Sequence, residues 1–348
     1  MIAWPPPSLR HLGRLTDDVG VVEHASGRQP RYDLEYCTDD AGRALAAATQ
    51  HAADVDAPRI ATVALSFLTR AHTADGCFRL RLGANRRWTD DPGSEDASGR
   101  ALLGLGTAAA RAPWEDVRLG ALDLFGKSCR IRPRHPRAAA YAVLGAAALL
   151  EALPEHPGAR QLLVEEAGIL PRPARLGSWP WPERRLTYAN ALLPDALLAA
   201  GTMAGRVDMV EDGLALLDWL VRAETLDDRF SFTPVGGRGP EQHGPAFDQQ
   251  PIEAWAMADA CARAHRTSGE DRWRVAILQA GRWFLGDNDA ESPMFDPETG
   301  GGFDGLERHG VNANQGAEST LAFLATMGHV HALAFVAQAA ASVRRSSR

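Results

Sequence analysis

The sequence predicts an all-α fold: an (α/α)6 toroid with small β-hairpin insertions, carried by residues 1–348 as a single domain. Three observations predict it. Strand-like alternation is scarce along the chain. Helical patterns of two kinds alternate. Each kind occurs six times, so a helix pair repeats with connections of variable length.

Segments of the first kind are rich in Ala and Gly and open on polar residues, beginning at Thr38, Ser94, Pro136, Tyr188, Asp248 and Asn314. The motif Asp39-Asp40-Ala41-Gly42-Arg43-Ala44-Leu45 returns as Glu95-Asp96-Ala97-Ser98-Gly99-Arg100-Ala101-Leu102, and Asp248-Gln249-Gln250 is echoed by Asn314-Gln315-Gly316. Segments of the second kind are amphipathic: 59–71, 114–128, 159–169, 209–223, 272–285 and 330–343, with Phe67, Phe125, Leu162, Leu217, Trp283 and Leu333 among their apolar positions. Small residues suit a crowded inner ring, and one wet face suits an outer ring. An open solenoid would need polar capping repeats, and the first repeat here has none. Residues 1–35 precede the repeats and are read as a non-repeat N-terminal segment. The connections 84–93, 177–186, 230–247 and 287–311 are long and rich in Gly, Pro and Trp, the mark of functional loops. Within the last, 294–306 reads as a β-hairpin around Gly300, and Asp287-Asn288-Asp289 as a turn.

The chain is 45% hydrophobic and 23% charged, with a formal net charge of −7, which excludes a largely disordered or collagenous protein. The acidic balance argues against nucleic acid as a partner. No apolar run is long enough to span a membrane, and no secretory leader opens the chain, so a cytoplasmic location is expected. The four cysteines form no CxxC, the eleven histidines are scattered apart from His329 and His331, and nucleotide or flavin loops and the Gly-x-Ser-x-Gly elbow are absent from the sequence. No metal and no cofactor are expected. Lys127 is the sole lysine, so lysine Schiff-base chemistry could involve no other position.

In a closed toroid the polar starts of the inner helices meet at one mouth. A single acid at a helix start is a cap. Two adjacent acids followed by an arginine one turn on, found twice, exceed that need. Asp40, Glu95, Asp96, Asp248 and Glu318 are therefore the candidate acid/base carboxylates. Sugar hydroxyls require both donors and acceptors, and their C–H faces stack on rings. Asp39, Arg43, Arg100, Asn190, Gln249, Gln250, Glu253, Asn314 and Gln315 are the candidate polar contacts, and Trp88, Trp179, Trp181 and Tyr188 the stacking surfaces. Arginines one turn on should hold Asp40 and Asp96 ionised, which leaves Glu318 or Asp248 as the better acid.

The segments Tyr36-Cys37-Thr38-Asp39-Asp40-Ala41-Gly42-Arg43, Gly93-Ser94-Glu95-Asp96, Leu186-Thr187-Tyr188-Ala189-Asn190-Ala191, Phe247-Asp248-Gln249-Gln250-Pro251-Ile252-Glu253 and Asn312-Ala313-Asn314-Gln315-Gly316-Ala317-Glu318-Ser319 resemble a poorly characterised bacterial sugar-metabolism family that accompanies glycosyltransferases and mannoside phosphorylases. The chain departs from it at Ala189, where the family carries Asp. The wider resemblance is to six-hairpin glycosidases. It implies a carbohydrate substrate, a glycosyltransferase as partner, and an inverting glycoside hydrolase with a carboxylate acid/base pair. The alternatives are a non-catalytic sugar-binding or scaffold partner of a glycosyltransferase, and a sugar epimerase drawing on His243 and His309. A terpene cyclase is disfavoured by the polarity of the helix starts.

Overall fold

The computed structural model describes residues 3–90, 93–175 and 177–346, with side chains through 335. Among these residues twelve helices follow one another: α1 (Arg10–Leu15), α2 (Thr38–Gln50), α3 (Ala57–Ala71), α4 (Glu95–Arg111), α5 (Glu115–Ser128), α6 (Pro136–Ala152), α7 (Pro157–Ala167), α8 (Leu192–Ala204), α9 (Val207–Ala223), α10 (Pro251–Ser268), α11 (Asp271–Phe284) and α12 (Ala317–Ser346). Each even-numbered helix packs on the next, and α12 returns to α2, closing a ring of six. The odd-numbered helices pack outside: α3 on α2, α5 on α4, α7 on α6, α9 on α8, α11 on α10, and α1 on α12. This is the (α/α)6 toroid.

The inner ring is built on backbone approach. A Cβ added to Gly104 would lie 2.3 Å from the Gly42 carbonyl oxygen, and one on Gly106 would lie 2.1 Å from that of Gly145. Both distances are inside van der Waals contact, so α2, α4 and α6 can pack this closely only without side chains there. The outer ring supplies bulk instead. Phe67, Phe125, Trp273, Trp283 and Phe284 are buried in it, each a large apolar area removed from water.

One expected element is absent. Residues 330–343 do not fold back as a sixth outer helix, because α12 runs through them without a break. The stretch offers only Gly328 as a breaker, and a lone helical glycine costs about 1 kcal/mol, too little to stop a helix. The vacant outer place is taken from the other end of the chain by α1, whose Leu12 and Leu15, with Leu9 just before it, are fully buried.

Four antiparallel strand pairs are described on the ring: β1 (Ala25–Ser26) with β2 (Gln29–Pro30), β3 (Glu35–Cys37) with β4 (Arg81–Gly83), β5 (Thr225–Leu226) with β6 (Arg229–Phe230), and β7 (Gly305–Glu307) with β8 (Gly310–Asn312), all but the second being hairpins. The second matters most, because its register sets Cys37 opposite Arg81 at the entrance to α2. In 294–306 Phe295 bridges Gly302, and Gly300 takes the left-handed φ of +79° that the tight return needs. No described helix is long and apolar enough to cross a membrane.

Candidate active site

Each of the first five inner helices is followed by an outer one running back, and residues at the starts of all six, α12 included, line the same mouth. Two adjoining pockets occupy it. The deeper, about 370 Å³, is lined among others by Glu23, Asp39, Asp40, Arg43, Arg81, Gln250 and Glu318. The wider, about 770 Å³, is lined among others by Glu95, Asp96, His135, Arg137, Glu183 and Tyr188. Asp39 and Leu80 belong to both linings, so the pockets adjoin.

Two buried arginines floor the deep pocket. Arg43 donates from Nη1 to Asp40 Oδ1 at 2.7 Å and from Nη2 to Glu318 Oε2 at 2.5 Å, tying the first inner helix to the last. Arg100, on α4, pairs with Asp39 of α2 and lies 3.7 Å from Asp96, with its guanidinium 4.9 Å from the centre of the Tyr141 ring. Arg81 of β4 grips Glu23 with two bonds of 3.2 and 2.9 Å and reaches Glu35 at 3.6 Å. Arg137 of α6 holds Glu183 bidentately at 2.8 and 2.9 Å. Each arginine lining the two pockets is thus ion-paired to a carboxylate.

Asp40 is 2% exposed, and burial lifts its carboxyl from the usual carboxylate range to about 7. Arg43 opposes that rise, while Glu23, Glu318 and Asp39 reinforce it. The sequence-based assignment of Asp40 as an ionised group is therefore reversed: desolvation outweighs the arginine one turn on. Asp248 is also pushed up, by burial and then by Glu307 and Asp304, but it does not line either pocket. Its Oδ1 lies against Gly305, where an added Cβ would fall 2.4 Å away. One donor atom each of Glu23, Cys37 and Asp40 lies within 4.8 Å of the others. Burial and the nearby Asp39 and Asp40 push the Cys37 thiol up, which suits a neutral wall better than a metal ligand.

The expected sugar contacts divide. Asp39, Arg43, Arg100, Gln250 and Tyr188 line the pockets with the carboxylates Asp40, Glu95, Asp96 and Glu318. Glu95 also caps α6, accepting from the Arg134 and His135 amides at 2.8 and 2.7 Å. The others serve the scaffold. Gln249 is fully buried: its oxygen accepts from the Phe232 amide and the Trp283 indole, and its nitrogen donates to Ala246 O and Asp289. Asn190 and Glu253 are bonded to each other at 3.2 Å, with Glu253 also accepting the Ala189 and Asn190 amides. Burial pushes Glu253 up, helped by Glu224 and opposed by those amides. Gln315 is held by Thr299 and Asp296, and Asn314 accepts from the Gly27 amide. Trp181 is buried and, with Trp179, packs on Trp219 while both indoles donate to Glu183, so the pair buttresses Glu183 rather than a ligand. Trp88 meets Phe67 edge-on at 5.6 Å and lines neither pocket. His243 and His309 are exposed and outside both linings.

Glu23, Arg81, Glu183 and Arg137 were not singled out as site residues from the sequence. Glu23 sits in the non-repeat segment 1–35, and Glu183 in a loop. Only Arg137 carried a signal, as the polar opening of the third inner helix.

The architecture is that of the six-hairpin toroids. The cellobiose 2-epimerase of Bacillus thermoamylovorans superposes with a TM-score of 0.69 at 10% identity, over 92% of this chain and 95% of that one. A D-mannose isomerase gives 0.66 at 12% identity, over 94% and 95%. A C. cellulolyticium cellulase solved with cellobiose gives 0.61 at 8% identity, over 89% and 86%. No family model matches the chain, and no curated protein matches it in sequence. At these identities the likeness is one of fold.

Proposed function

We propose that this chain is a carbohydrate-converting enzyme that isomerises or epimerises a neutral reducing sugar next to its carbonyl. The observation that carries this is the pairing in the deep pocket: Asp40, with its carboxyl raised to about 7, beside Glu23, with donor atoms no more than 4.8 Å apart. Proton transfer between adjacent sugar atoms needs two such groups at short range. Glu23 takes the proton from C2. Asp40, protonated, hydrogen-bonds the carbonyl oxygen at C1 and passes it a proton, giving an enediol. Return of a proton to C1, with the O2 proton lost to Asp40, yields the ketose, and return to the other face of C2, with the O1 proton lost to Asp40, yields the epimer. A carboxylate base paired with a neutral donor to the developing oxyanion is a known division of labour in such enolisations.

The inverting hydrolase expected from the sequence needs carboxyls about 6.5–9.5 Å apart, with water between them. Asp40 and Glu23 are closer than that. The epimerase and isomerase among the structural relatives support the same choice. The cellulase relative keeps hydrolysis as the second reading. A neutral substrate follows from the ion pairs: with each lining arginine matched to a carboxylate, Arg43 to Glu318, the pockets offer no uncompensated cation to a phosphate or uronate. The glycosyltransferase partner rests on the sequence resemblance alone.

Product analysis by NMR tests the proposal. Aldoses, ketoses, reducing disaccharides and aryl glycosides are incubated with the protein. Interconversion of C2 epimers or of aldose and ketose, with glycosidic bonds intact, is expected. Cleavage of glycosides without such interconversion supports the hydrolase instead.

A further inference from the structure

We propose that the wider pocket is a second saccharide subsite, so that the substrate is a disaccharide or longer, with its reacting sugar in the deep pocket. This rests on the sugar reading above and adds the length of the substrate to it. The two pockets share Asp39 and Leu80, so they lie side by side at the mouth and sugars in the two would be neighbours. At about 370 Å³ the deep pocket is near the lower end of small-molecule sites, about 300–1,000 Å³, and the wider pocket adds about 770 Å³.

The wider pocket contains a prepared stacking surface. Tyr188 lines it and is 36% exposed. Its ring is fixed from two directions: its hydroxyl donates to Asp96 at 2.8 Å, and the Arg137 guanidinium sits 4.9 Å from the ring centre. Arg137 is fixed in turn by Glu183 and by the Tyr188 carbonyl, which accepts from Nε at 2.6 Å. A ring immobilised before binding loses little entropy when a pyranose stacks on it. Glu183, His135 and Thr187 supply donors and acceptors around it for hydroxyls.

Calorimetric titration of the full chain tests this with D-glucose, D-mannose, cellobiose, β-1,4-mannobiose and their trisaccharides. In the wild type a disaccharide should bind about tenfold more tightly than its monosaccharide, the size of one aromatic contact. Tyr188→Ala should lower disaccharide affinity to that of the monosaccharide, and Tyr188→Phe should retain the gain. Equal wild-type affinity for mono- and disaccharide overturns the subsite and leaves the sugar reading standing; this comparison decides even where Tyr188→Ala fails to fold. Equal weakening of both by Tyr188→Ala overturns it as well. Binding of no sugar in the series overturns the sugar reading itself.

Discussion

Asp40 is where burial and charge compete most directly, and burial wins. A carboxyl that stays protonated to about 7 donates only below that value, so turnover should fall as pH rises through about 7. Asp40→Asn should lower kcat by about 100-fold or more while sugar binding persists, measured by steady-state kinetics beside titration. The same shift acts on stability. The folded chain holds this proton more tightly than the unfolded chain, whose carboxyl titrates near 3.8. Stability from Asp40 is therefore complete below about 4 and is lost as pH rises to about 7. Denaturant melts of Asp40→Asn across that window should have a flatter pH slope than wild type. Neighbouring glutamines offer a second contrast. Gln249→Ala strands the Phe232 amide and the Trp283 indole in the core, at about 1–3 kcal/mol for each unsatisfied group. Gln250→Ala, at the pocket wall, should weaken sugar binding with little change in denaturation midpoint. Sequence alone could not separate the two, because what distinguishes them is a bond between residues 249 and 283, set by the tertiary fold.

At the scale of elements, the inner helices were legible because their composition reports their surroundings. Ala and Gly at the starts of repeats mean backbone approach, and Gly104 above Gly42 shows how close it is. An exposed helical Gly→Ala change stabilises by about 1 kcal/mol. Gly104→Ala and Gly106→Ala should instead destabilise by about 1–3 kcal/mol through overpacking, read from urea unfolding. The reversed sign separates a packed glycine from a merely tolerated one. The last helix was misread because amphipathic spacing in 330–343 fits an outer helix as well as the end of a long inner one, and spacing says nothing of where a helix begins. Asp40, Glu95, Asp96 and Glu318 could be found from their place at helix starts. Glu23 could not, since its position depends on the N-terminal segment folding back over the mouth.

Over the whole molecule, the ring is completed by both ends of the chain. Arg43 bridges α2 to Glu318 on α12, and α1 fills the outer place beside α12. The N-terminal segment therefore belongs to the core, and Leu12→Ala should cost about 2–5 kcal/mol, as for an equally buried leucine such as Leu45 in the inner ring. Closure also brings Glu23, from outside the repeats, to Asp40, from the first of them. The proposed chemistry depends on that meeting, and hydrogen exchange at C2 tests it most directly. A reducing disaccharide that the protein converts is incubated in D2O with wild type, Glu23→Gln and Asp40→Asn, and deuterium at C1 and C2 is followed by NMR. The expected result is deuterium entering C1 or C2 with wild type and about 100-fold slower entry with either variant. Conversion without any deuterium at C1 or C2, or glycoside cleavage that survives both substitutions, would contradict proton abstraction by Glu23 with Asp40 as the donor to the carbonyl oxygen.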